Sequence, residues 1–428
     1  MAYYFLFPEI DTTLYSHPDR LHLNTGRDEI LEIVKEIGST DRKHYPSRIL
    51  IKFPTKDVTN IIRDTIGSEK FNAGASCSIQ LYSTEQKNLT QILNVQAYPL
   101  SQSWDEGSGR YSNLPTGSDG ASWIHRHDSD FGNKWINFQA GGVDYSEIYY
   151  PGVDPANGVN GTNGGFIIDG YNTYSHLLGG TANYTTFANN TTGSVSSSAI
   201  SHGGGTWYED EGVTQQFLQG NSLDIDLNIT PQLKLQSASF FEGKNYPLGL
   251  PNYGFVLKQP DSVEADTTSS FGELQYFSVD TKTIYPPRLT FRWDDSVHNK
   301  QGSAKQGGEL NLNLYGNKEE YNQNDETTFR IHVRDKYPTR EFSTTSNYLN
   351  VGYLTTSSYY SIRDAHSEQE IIPFDDNFTK ISADKDGMYF KFYMKGLQPE
   401  RYYRILFKHK NNEGITIYDN DYYFKVIR

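Results

Sequence analysis

Apolar and polar residues alternate in short runs along most of the chain. Residues 28–37, DEILEIVKEI, carry a period-two pattern, and SRILIKF follows as a β partner. The stretch is assigned to strand, although its acids and lysine also suit a helix. CSIQLYST and QILNVQAYPL alternate in the same way. Strand signals return at SLDIDLNIT, NYGFVLKQ, GELQYFSV and PPRLTFRW, and again at TTFRIHVRD, MYFKFYMKG, YYRILFKHK and YYFKVIR. Most are bounded by Pro, Gly, Asn or Asp, the residues of turns. One segment departs from the pattern. KDVTNIIRDTIG places Val58, Ile61, Ile62 and Ile66 on one helical face and meets a stop at Gly67. No helix of consequence is expected after it, and no repeat of fixed period is present.

From about residue 141 to 212 the alternation fails. AGGVDYSEIYYPGVDPANGVNGTNGGF and NNTTGSVSSSAISHGGGTW are rich in Gly, Asn, Ser and Thr. Such composition predicts an extended insertion carried by a scaffold, with Tyr149, Tyr150, Phe166 and Tyr171 as anchors. Residues 298–325, opening with HNKQGSAKQGG, read as a linker. The prediction is an all-β protein. A large jelly-roll-like β-sandwich over residues 1–297 carries the insertion, and a smaller Ig-like β-sandwich follows over residues 326–428.

Composition narrows the function. Acids exceed bases, 52 against 38, for a net charge of −14. That balance argues against a nucleic-acid footprint. The single cysteine, Cys77, rules out a disulfide within the chain and reads as a small core residue. The opening MAYYFLFPEI has no basic start and no small-residue cleavage site, so no secretory leader is expected. No apolar run approaches the roughly 20 residues that span a bilayer, so membrane insertion is not expected either.

The chemistry-bearing residues cluster in mid-chain. WDEGSGRYSNLPTGSDGASW, residues 104–123, sets Asp105 and Glu106 behind one of two framing tryptophans. Glycoside hydrolysis needs two carboxylates facing each other across a sugar, and neighbours on a strand point apart. This pair alone cannot flank a bond. Trp104, Trp123 and Trp207, with Tyr149, Tyr150 and Tyr171, are candidates for stacking on a glycan or touching a partner. The favoured reading of the indoles is as core residues holding the feet of the loop together. HRHDSDFGN offers His125 and His127 to a metal on one strand face, and Asp128, Asp130 and Asn133 as oxygens for calcium. Its plainer reading is a polar turn. SHGGGTW near residue 202 lacks the Gly-x-Ser-x-Gly elbow that an esterase would pair with it. Phosphate-loop, dinucleotide and zinc-protease signatures are missing too. No catalytic residue and no cofactor is assigned, and the chain reads as a non-enzyme.

Taken in order, these segments resemble the DNRLRE-type domain, a β-sandwich similar to carbohydrate-binding modules. The matching positions are Asn24, Gly26, Arg48, Leu50 and Phe53, then Trp104, Glu106, Gly120, Ala121 and Trp123, then Asp226, Asn252, Gly254, Phe255, Pro287 and Leu289. They cover about residues 8–294, interrupted by 141–212. Over the whole chain, MAYYFLFPEIDTTLYSHPDRLHLNTGRDEILEI looks like virion structural proteins of contractile-tailed phages, those of cyanophages in particular. The closing GLQPERYYRILFKHKNNEGITIYDNDYYFKVIR is similar to Ig-like or fibronectin-like domains of tail and neck parts. These resemblances imply a structural part of a tail, baseplate or neck, assembled in the host bacterial cytoplasm. Its partners would be other virion proteins and further copies of itself. They leave two alternatives, a host-glycan-binding or adhesion module of a tail fibre and a glycan-degrading enzyme.

Overall fold

The computed structural model describes the chain outside residues 1, 88–91, 114–118, 128–134, 136–203, 209–210, 219–220, 247, 265, 267, 270–271, 306–307, 339–341, 343, 345–350 and 413. The protein is all-β and sandwich-like, built from several mostly antiparallel sheets. It divides into two compact units. One comprises Phe7–Thr59 and Ser78–Leu289, the other Met1–Leu6, Asn60–Cys77 and Thr290–Arg428.

In the first unit the widest sheet runs Ile10–Tyr15, His44–Lys52, Phe255–Lys258, Ile92–Pro99 and Val213–Leu218, each antiparallel to its neighbour. His44–Lys52 lies inside it, and Ile49, Leu50 and Ile51 are all buried, as expected of a strand covered on both faces. A second sheet sets Ile30–Ile33 and Ser83–Lys87 on either side of Glu273–Phe277. The ambiguous segment 28–37 is therefore strand, with a change of partner in its middle. Ile30–Ile33 pairs with Glu273–Phe277, while Lys35–Ile37 pairs with residues 44–46. The switch falls at Val34, whose N–H donates to Ser47 Oγ at 2.9 Å and whose carbonyl accepts from Ser47 N at 2.8 Å.

In the second unit one sheet runs Leu310–Tyr315, Glu326–Asp335, Gly387–Tyr393 and Ser382–Asp384. The other runs Glu320–Asn322, Gly414–Ile427, Arg401–Asn411, Ser358–Asp364 and Glu370–Ile372. Their inward residues form one core around Phe329, Tyr360, Phe390, Phe407 and Phe424. Two expectations are corrected here. Leu310–Tyr315 and Glu320–Asn322 are strands, so the supposed linker 298–325 supplies part of the sandwich. The Gly/Gln/Lys-rich opening of that segment masked the alternation of LNLNLY behind it. The division at residue 297 also shifts, because Tyr3 and Phe5 pack in this unit's core.

The helix from Thr55 is present, as an α turn over Thr55–Asn60 and a wider π turn over Ile61–Ile66. Val58, Ile61, Ile62 and Ile66 are buried, and Gly67 ends it at φ 86°. The expectation of no later helix is wrong. Ser68–Gly74 is helical, and Thr230–Glu242 forms a 13-residue helix with Pro231 in its first turn and Gly243 as a left-handed cap. Its buried side is Gln232, Leu233, Gln236 and Ser237. Hydrophobic periodicity is nearly silent on such a stripe, although the capping residues mark both ends. Gln236 is fully buried and neither of its amide atoms has a hydrogen-bond partner. Gln236→Leu should therefore raise stability, by about 1–3 kcal/mol, the usual penalty for a buried unpaired polar group. A lower urea midpoint in the variant would contradict this.

Candidate functional site

The mid-chain loop is tied down from both ends. Asp105 N donates to Arg126 O at 3.0 Å, and Ala121 N donates to Asp105 O at 2.8 Å. Trp104, Trp123, Trp135 and Trp207 join Leu14, Leu50, Tyr98, Leu100 and Val256 in one buried cluster. Trp104 Nε1 donates to Tyr253 O at 2.8 Å, and Trp135 Nε1 to Ser122 O at 2.9 Å. Trp104, Trp123 and Trp207 are at most 3% exposed. Their candidacy as glycan-stacking platforms is corrected on that ground, since a buried ring offers no face to a ligand. Tyr149, Tyr150 and Tyr171 lie outside the described residues.

At the centre of the loop is Asn24, wholly buried. Its Nδ2 donates to Glu106 O at 2.6 Å and Ala121 O at 2.8 Å, and its Oδ1 accepts from Gly26 N at 3.2 Å and Gly109 N at 2.8 Å. Glycines crowd around it. A Cβ on Gly107 would come within 2.4 Å of Asn24 Oδ1, and one on Gly109 within 2.3 Å of Asn24 O. The early Asn-x-Gly stretch and the later tryptophan loop, far apart in sequence, thus form one knot.

Asp105 and Glu106 engage different partners and do not face a common point. Asp105 Oδ2 lies 2.8 Å from His127 Nδ1 and is exposed, whereas Glu106 Oε1 accepts from Asp11 N at 3.3 Å and Oε2 lies 3.5 Å from Arg27. His125 and His127 do not converge either. His125 is buried beside the His22 ring at 5.4 Å, while His127 bridges Asp105 and Arg126, the latter 2.8 Å from Nε2. The segment bends rather than forming the strand that would align them, which corrects the metal-pair expectation. Asp128 and Asp130 lie outside the described residues. Among the described residues no three His, Cys, Asp or Glu side chains are placed to hold a metal ion, and no helix is long and apolar enough to cross a membrane.

Beneath the tryptophans lies a buried ionic network, of which the sequence reading named only Arg48 and not its partners. Arg48 Nε and Nη2 donate to the two carboxylate oxygens of Glu264 at 3.1 and 2.7 Å, and Nη1 donates to Gly204 O at 3.1 Å. The guanidinium sits 4.7 Å from the Trp123 ring and 5.0 Å from the Trp207 ring. Lys258, completely buried, pairs with Asp261 and lies 3.3 Å from Glu264. The arginine inside SRILIKF, flanked by aliphatics, was the available signal.

The second missed feature is a surface groove of about 750 Å³ along the partner-switching segment 28–37, opposite Tyr111. Tyr15 donates to Glu32 Oε2 at 2.6 Å, and Gln275 Nε2 donates to Glu32 Oε1 at 2.6 Å. Arg20 pairs with Glu36, whose Oε1 also accepts from Tyr111 at 2.7 Å. Burial pushes the Glu32 and Asp28 carboxyls above their ordinary range, and desolvation likewise raises Asp11 and Glu106 beside the knot. The acids of DEILEIVKE, spaced along a strand that changes sheet, were the sequence signal.

These shifts set a pH dependence. A carboxyl whose pKa is higher folded than unfolded contributes stability that is full below the unfolded value, about 4, and lost as pH rises through the folded value. The first unit should therefore weaken from mildly acidic to neutral pH. Asp364 in the second unit is the opposite case. Despite desolvation, hydrogen bonds from Arg401, Ser367 and His366 hold it at about 2, so its contribution is lost as pH falls from about 4 towards that value. Asp11 Oδ2 accepts from Val279 N at 2.7 Å, a role an amide oxygen can keep. Asp11→Asn should then raise the Tm at neutral pH by a few degrees and flatten the acid-side slope. An unchanged slope in the variant would refute the assignment.

Comparison with protein-family models, curated proteins and solved structures finds no match for this chain.

Proposed function

We propose that the chain is a non-enzymatic structural component of a phage virion, in the tail, baseplate or neck. It works through contacts with neighbouring virion proteins and with further copies of itself. The observation that carries this reading is the way the mid-chain loop uses its chemistry. The indoles, Asn24, His127 and the two acids bind to one another and to backbone rather than facing a common space. Groups used in this way make a stiff mount. The ordered resemblance to the DNRLRE-type sandwich supports a rigid scaffold role, because Asn24, Gly26, Glu106, Gly120 and Ala121 meet in the knot. The net charge of −14 favours protein neighbours over packaged DNA.

The test is labelling of intact particles with serum raised against the recombinant chain, viewed by electron microscopy. A ring of label near neck or baseplate is the expected result. Label at fibre tips would favour the glycan-binding alternative, and protein found only in free lysate would refute a virion role.

A further inference from the structure

We propose that the groove along residues 28–37 receives a lysine- or arginine-bearing segment of a neighbouring protein. This deepens the structural reading above and rests on it. Five carboxylates, Asp28, Glu29, Glu32, Glu36 and Glu273, line the groove against two basic groups, Arg20 and Lys35. Both bases are engaged in the wall. Arg20 pairs with Glu36 and covers the Tyr111 ring at 4.4 Å. The Lys35 ammonium donates to the carbonyls of Val263, Asp266 and Ser269, the last two at 2.6 and 3.3 Å. The charge excess facing the groove is therefore negative.

Two polar atoms of the lining lack partners. Glu36 Oε2 and His44 Nδ1 are sealed from solvent and have no hydrogen-bond partner. Atoms closed to water are closed to an outside donor as well, so the pull on a cation comes from the negative lining rather than from these two atoms. The raised Glu32 and Asp28 carboxyls are held so by burial, and a bound cation would draw both back down. A metal ion does not meet these demands, because among the described residues the side chains do not converge at ligand spacing. An ammonium or guanidinium does, since its several N–H groups reach separate acceptors. The volume of about 750 Å³ exceeds one side-chain tip and accommodates a side chain with its backbone. Ile30 and Ile37, the latter 61% exposed, give the methylene stem an apolar wall.

The test titrates the full chain calorimetrically with a blocked Lys-Val-Arg-Val-Lys peptide, beside a Glu-Val-Gln-Val-Glu peptide and spermidine. The basic peptide should bind, the acidic one should not, and the affinity should fall with added salt. Glu32→Gln with Glu36→Gln should weaken binding by about tenfold or more, the scale of a lost charge-assisted contact. Glu273→Lys provides the same readout should the double variant fail to fold. Absence of binding by the basic peptide, or binding that these variants leave unchanged, would overturn the proposal. Spermidine binding as tightly as the peptide would overturn a protein segment as the source. Particle labelling is read separately. Label on virions with no peptide binding keeps the structural role and removes the groove, whereas unlabelled virions remove the structural role itself.

Discussion

Replacing Arg48 with methionine should cost about 3–5 kcal/mol of folding stability, the range for breaking a buried ion pair from one side. The side chain is 6% exposed, and its hydrogen bonds reach Glu264 and the carbonyl of Gly204. Methionine fills much of the same space between Trp123 and Trp207 but leaves Glu264 with Lys258, at 3.3 Å, as its ion-pair partner among the described residues. The loss thus comes chiefly from an under-compensated buried carboxylate, not from a cavity. That attribution makes a second statement. Arg48→Met combined with Glu264→Gln should be more stable than Arg48→Met alone, because the stranded charge is gone. Urea unfolding of the two single variants and the double closes the cycle. Additive losses, or a loss below about 1 kcal/mol for Arg48→Met, would show that the pair does not behave as one unit.

The same residue shows how far the sequence could be read. SRILIKF is plainly a strand, and the burial of Ile49, Leu50 and Ile51 follows from its aliphatic run. The fate of Arg48 does not follow, because its partner stands more than two hundred positions away in a single helical turn, Asp261–Glu264. Alternation reports which face a residue takes, and it is blind to a charge paired inside the core. The helix Thr230–Glu242 escaped for a related reason, its buried stripe carrying amides where aliphatics were sought. The groove escaped because the acids of residues 28–37 read only as the polar face of a strand, while Arg20, Tyr111 and Glu273, which complete the walls, come from distant parts of the chain. Of the positions that carry the resemblance, Asn24, Gly26, Trp104, Glu106, Gly120 and Trp123 gather in and around the knot.

That knot yields the second large effect. Asn24→Leu keeps the volume and removes four hydrogen bonds, each tying a separate backbone group. At about 1 kcal/mol or more for each buried group left unpaired, the loss should be on the order of 4 kcal/mol. The glycines leave no room to relax, since Gly107, Gly109 and Gly120 already approach Asn24 as closely as a residue without a side chain can. Asn24→Asp separates the hydrogen-bond account from simple packing. Its carboxylate would still accept from Gly26 and Gly109 but would face the carbonyls of Glu106 and Ala121 with a lone pair. Protonation restores one donor, so burial and those carbonyls raise the folded pKa above the unfolded value of about 4. The variant should therefore be least stable at neutral pH and should recover towards wild type as pH falls through the folded value, the sign required of a raised carboxyl. Asn24→Leu should show no such recovery. If the two variants share one pH profile, the donors of Asn24 are not what holds the loop, and the packing of the four tryptophans must do so instead.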